Sequence, residues 1–201
     1  MQFYARFAAL TMSLLLLVTA CRQEQKQLPV KPAGPTYFSV QQFILDQFDL
    51  FRDQPFVFIK VASMGSSADT SFAAADTMDW ASVLQPFANA DISDTAMLGK
   101  YRYSEFDEPL TQQHILLYEA RQPELSTRKL MIAADQETGR IYSIYMDVNL
   151  PGGATERLFY APLKLIQIQR FSVHNGRPQN LRVEYFFPGR ENAGSEEEMY
   201  P

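Results

Sequence analysis

Apolar residues first settle into a helical rhythm at Val40, Phe43, Ile44, Phe48 and Phe51, positions i, i+3, i+4, i+8 and i+11 that share one face. Asp46, Asp49, Arg52 and Asp53 lie largely off that stripe, Ser39 is placed to cap the start, and Pro55 ends the segment. A stripe of this kind serves as a core face or as a filler for a partner's groove, and the core face is the expectation. Phe56 to Ala62 follows as a near-continuous apolar run, read as a buried strand, and Ser63 to Asp76, rich in Ser, Ala, Gly and Asp, reads as a loop. A second helix begins near Thr77, with Trp80, Val83, Leu84 and Phe87 on one face. Asp76 or Thr77 is expected to cap it, and Asp79 suits the positive end of the helix dipole. Pro86 predicts a kink or an early stop, because proline donates no hydrogen bond and crowds the carbonyl of Ser82.

Beyond Tyr101 the period falls to two. Ile115 to Tyr118, Arg128 to Ala134, Ile141 to Val148, Thr155 to Tyr160, Leu165 to Val173 and Leu181 to Phe187 are short runs of β-branched and aromatic residues. Asp135 to Gly139, Pro151-Gly152-Gly153 and Asn175-Gly176 are turn signals between them, the last the strongest short hairpin signal. Consecutive strands on short links predict an antiparallel meander with a buried face. The fold class expected is α+β: N-terminal helices packed on an antiparallel sheet of about six or seven strands, in one domain over residues 39–189.

The N-terminal pattern is different. Arg6 is the sole charge in residues 1–20, Phe7 to Leu17 is apolar but shorter than the ~20 residues of a spanning helix, and Leu17-Val18-Thr19-Ala20-Cys21 matches a bacterial lipoprotein processing site. Residues 1–20 are therefore expected to be a signal peptide and Cys21, the chain's one cysteine, to carry lipid. Two or three acyl chains anchor firmly where one does not, at ~0.8 kcal/mol per buried methylene. Residues 21–38, with Pro29, Pro32 and Pro35 at every third position, read as an extended tether of ~40 to 50 Å at ~3.1 Å per residue. Residues 190–201, with Glu196 to Glu198, have the composition of a disordered acidic tail.

Charge narrows the partners. The formal charge of −5 becomes −6 once Arg6 is removed, 17 basic residues against 23 acidic, which offers no electrostatic basis for binding nucleic acid. His114 and His174 stand alone without metal-ligand spacing, and no nucleophile elbow, phosphate loop or dinucleotide fingerprint is present, so no catalytic residue, metal or cofactor is expected. Glu105, Asp107 and Glu108, read as a loop before Pro109, are the nearest thing to paired catalytic carboxylates. A hydrolase would need such acids to converge in the fold; whether Glu105, Asp107, Glu119, Asp147, Glu156 and Glu184 share one cleft is the discriminating observation. Tyr142, Tyr145, Phe159, Tyr160, Phe171, Tyr185 and Phe186 exceed what one buried sheet face demands, so some should make an apolar surface on the other.

The segment Asp79-Trp80, Leu84, Phe87, Asp91-Ile92-Ser93 and Ala96-Met97 through Tyr101 resembles one that recurs in uncharacterised outer-membrane lipoproteins of Bacteroidota. Val83, Ser93, Asp94 and Thr95 depart from that family's Glu, Asn, Lys and Pro. The resemblance implies no activity. The helix-covered meander is also loosely similar in architecture to lipoprotein carriers of the outer membrane. These readings together predict a lipoprotein on the periplasmic face of the outer membrane, joined to the membrane through Cys21, that binds an envelope protein or an apolar ligand. Arg22 to Lys26 is neither an inner-membrane retention signal nor an acidic surface-export stretch.

Overall fold

The computed structural model describes residues 36–51 and 55–188. Cys21, the expected signal peptide and most of the expected tether lie outside them, as do Arg52, Asp53 and the acidic tail. Among the described residues the chain runs α1 (Val40–Phe51), β1 (Val57–Met64), β2 (Ser67–Ala74), α2 (Trp80–Asn89), β3 (Tyr101–Glu108), β4 (Gln113–Ala120), β5 (Thr127–Asp135), β6 (Ile141–Asn149), β7 (Thr155–Ala161), β8 (Leu165–His174) and β9 (Arg177–Phe186). Short 3₁₀ turns at Thr95–Met97 and Pro151–Gly153 join α2 to β3 and β6 to β7. All nine strands form one antiparallel sheet, ordered β2-β1-β9-β8-β7-β6-β5-β4-β3.

The α+β class holds, with two corrections. The described residues form nine strands rather than six or seven, and the helices are not both N-terminal to the sheet, because the β1–β2 hairpin separates them. Residues 63–76, expected as a loop, supply β2, which pairs with β1 from Val57↔Ala74 to Met64↔Ser67. β2 was hidden because it is an edge strand exposed along most of its length, so neither of its faces needs an apolar period. Glu105, Asp107 and Glu108, also expected in a loop, belong to β3, the other edge. β1 pairs antiparallel with β9, so a hairpin near the chain's start closes onto its last strand.

Both helices cover one face of the sheet, the inner face. Val40 and Ile44 of α1 and Trp80, Val83, Leu84 and Phe87 of α2 are buried against Phe58, Leu130, Ile132, Ile144, Met146, Leu158, Tyr160 and Ile166, which alternate along their strands as inward-facing residues do. Aromatic rings lock the layers together. Tyr160 meets Phe43 and Phe87 edge-on at 6.2 and 6.3 Å, and Phe58 sits between Trp80 at 5.1 Å and Phe187 at 4.6 Å. Tyr37 and Phe38, the last positions of the expected tether, pack on this core, Tyr37 against Tyr101 and Tyr118.

Capping explains where the helices begin. Ser39 caps α1 as expected, its hydroxyl accepting from the Gln42 amide at 3.1 Å. Asp91 reinforces that end from fifty residues away, accepting from the Ser39 hydroxyl at 2.8 Å and the Gln41 amide at 3.2 Å while also holding Ser93. α2 starts at Trp80, with Asp79 rather than Asp76 or Thr77 as its cap. The helix runs unbroken through Pro86 instead of stopping there, and ends one turn later, where the Ala90 amide donates to the Pro86 carbonyl at 3.1 Å. The β8–β9 hairpin turns on Asn175 (φ 51) and Gly176 (φ 74), the paired left-handed conformations that its sequence predicts.

Candidate functional site

The face of the sheet turned away from the helices carries an apolar band. Strand register places Ala161, Leu165, Phe186, Ile59 and Phe72 directly opposite one another from β7 across to β2. A neighbouring row, Leu117, Met131, Tyr145 and Phe159, continues it from β7 to β4. Residues opposed in this way touch, so the two rows make one stripe over eight of the nine strands, ~34 Å at ~4.8 Å per strand. No helix of the described residues covers this face. Most of the stripe is half-buried by its own neighbours, but its β2 end opens to solvent: Ile59 is 41% and Phe72 76% exposed, with Val57 beside them at 47%.

The expected surplus of aromatics thus divides by strand parity. Tyr160 and Tyr185 enter the core, whereas Tyr145, Phe159, Phe171 and Phe186 face outward. The apolar run from Phe56 to Ala62, expected to be fully buried, serves both faces: Phe58 is buried in the core while Val57 and Ile59 join the outer stripe. Phe72 was missed by sequence reasoning, because a lone Phe among Ser, Ala, Asp and Thr carries no period. Polar groups border the band, with the Tyr145 hydroxyl donating to Asp147 at 2.7 Å and Arg157 lying 5.1 Å over the Phe171 ring.

The acids do not share a cleft. Glu119 pairs with Arg102, Asp147 with Arg157 and Glu184 with Arg182 on the outer face. Burial raises the Glu184 carboxyl above its ordinary range, and Arg182 offsets part of that. Glu156 lies on the inner face, under α2, against Arg170. Glu105 and Asp107 also face inward, at the β3 edge beyond the helices, while Glu108 alternates to the opposite face.

His114, taken from sequence as isolated, has partners. β4 places it opposite Asp107, whose Oδ1 lies 2.7 Å from its Nδ1, and Glu105 approaches Nε2 at 3.8 Å. The carboxylates engage opposite ring nitrogens and so share no point where a metal could sit, and no three metal-ligating groups converge among the described residues. Tyr103 donates to Glu105, and burial followed by this bond raises its phenol pKa. The cluster orients an imidazole where β4 meets the exposed edge strand β3, and no serine, threonine or cysteine is hydrogen-bonded to it among the described residues. His174 lies at the tip of the β8–β9 hairpin, opposite Arg177.

No protein-family model matches the chain, and no curated protein or solved structure was found to be similar to it. No helix of the described residues is long and apolar enough to cross a membrane.

Proposed function

We propose that this chain is a periplasm-facing outer-membrane lipoprotein, anchored through lipid on Cys21, whose folded domain works by binding rather than catalysis and docks an envelope protein through the apolar band. The observation that carries the reading is the band itself. Two adjoining apolar rows that together cross eight strands, open at Ile59 and Phe72, are the kind of surface that marks partner sites on soluble domains. The dispersal of the carboxylates over two faces supports binding over hydrolysis, as does the lack, among the described residues, of a nucleophile hydrogen-bonded to His114.

The test pairs two variants. Ile59→Asp with Phe72→Asp places charge at the exposed end of the band, where the fold is least affected, and should abolish recovery of a cross-linked envelope partner from native membranes and any phenotype that depends on it. Replacing Glu105, Asp107 and Glu108 together by their amides should leave both unchanged. The reverse pattern would refute binding and favour a carboxylate-dependent hydrolase.

A further inference from the structure

A second site lies on the inner face, between α2 and strands β6 to β8. There the helix and the sheet leave a cleft of about 430 Å³, within the range of small-molecule sites. Its walls are apolar on the sheet side, at Val148 and Leu150, and at Pro86 on the helix. Its charge comes from Glu156 on β7 and Arg170 on β8, which face each other in strand register.

The ion pair is asymmetric in two ways. Glu156 is 3% exposed, whereas the Arg170 side chain is 49% exposed. Both Arg170 bonds, from Nε at 3.0 Å and from an Nη at 2.8 Å, end on a single Glu156 oxygen. That geometry fixes the plane of the guanidinium and takes two of its five N–H donors, leaving three that Glu156 does not engage. A molecule entering the cleft therefore meets a pre-oriented cation paired to a largely buried carboxylate, flanked by aliphatic side chains.

We infer that this cleft binds a small organic carboxylate, its head group on Arg170 and its apolar chain along Val148, Leu150 and Pro86. Glu156 is then a positioning residue, which holds the guanidinium in place and competes with the ligand for it. The site is on the sheet face opposite the apolar band, so its occupancy and the band's docking are separable.

Hexanoate is the probe, followed by isothermal titration and by amide shifts of isotope-labelled protein. Saturable binding is expected at millimolar hexanoate, with shifts confined to residues 81–89, 148–156 and 170, and at least tenfold weaker binding for acetate, hexanol and hexylamine. Arg170→Gln should weaken hexanoate tenfold or more, and Arg157→Gln, on the other face, should leave it unchanged. Glu156→Gln keeps an acceptor for Arg170 but removes the competing charge, and should tighten binding severalfold. That variant carries the test if Arg170→Gln fails to fold. Hexylamine binding better than hexanoate, equal binding by Arg170→Gln, or no gain in Glu156→Gln would overturn the assignment, as would acetate binding as tightly as hexanoate. Ile59→Asp with Phe72→Asp should bind hexanoate normally, so failure of the band leaves this result intact.

Discussion

The Tyr160 hydroxyl is buried beneath both helices with no hydrogen-bond partner among the described residues, and that burial raises its phenol pKa. An unsatisfied buried hydroxyl costs about 1 to 3 kcal/mol, while the ring itself packs between Phe43 and Phe87. Tyr160→Phe should therefore stabilise the domain by ~1 kcal/mol, raising its melting temperature by ~2 to 4 °C in a calorimetric scan; a fall would show that the hydroxyl has a partner. Asp135 is the contrary case. It accepts from the Tyr142 hydroxyl and from Thr138 and Glu137, which hold its carboxyl down at about 2 against an ordinary 3.8. Because the folded value is the lower one, the stability it contributes is complete above the unfolded value and disappears as pH falls from ~4 through ~2. Asp135→Asn should lower the melting temperature in the neutral region and flatten the acid limb of its pH profile over that interval, so that the two proteins converge near pH 2. The turn was legible in the sequence from Asp135 to Gly139, yet Tyr142, which closes it, was not, because a strand tyrosine shows no sign of which carboxylate it reaches.

Elements with a buried stripe were readable and edge elements were not. α2 illustrates the first: Trp80, Val83, Leu84 and Phe87 are all buried, and Trp80 is 7% exposed with its indole N–H donating to the Ala75 carbonyl at 2.8 Å. Trp80→Ala should cost ~3 to 5 kcal/mol, a large part of a typical domain's 5 to 15, measured by denaturant unfolding. Loss of a partner at unchanged stability would instead make the stripe a docking surface. β2 and β3 illustrate the second, since a strand paired on one side only and wet on both faces needs no alternation. The segment from Asp79 to Tyr101 is explained at the same scale. Asp79 caps α2, Trp80, Leu84 and Phe87 fill the core, Asp91 ties the start of α1, and Ile92 and Tyr101 are buried. Each of these positions has a structural task in capping or packing. The band was foreseen only as a surplus of aromatics, because its continuity depends on the β1–β9 pairing, which no local pattern encodes.

Across the whole molecule, the chain enters at one edge of the sheet and the band opens at the other. Tyr37 packs on Tyr101 and Tyr118 of β3 and β4, its hydroxyl accepting from the Gly99 amide at 2.8 Å, whereas Phe72 lies on β2 at the far end of the nine-stranded order. Eight strand spacings separate the edges, ~38 Å at ~4.8 Å each. A domain held from residue 37 thus presents the open end of its band away from the point where the proposed tether leaves. Lipid on Cys21 and the band would then act independently, one holding the protein at the membrane and the other engaging the partner. Cys21→Ser should leave an uncleaved, mislocalised precursor whose domain still folds and still binds the partner when the two are mixed in detergent. Ile59→Asp with Phe72→Asp should do the converse, remaining processed and membrane-bound but without the partner. Fractionation of intact cells, with the precursor and mature forms separated by mass, reads both. A serine variant that still fractionates with membranes at the processed mass would refute anchoring through Cys21, because no other cysteine in the chain can accept lipid.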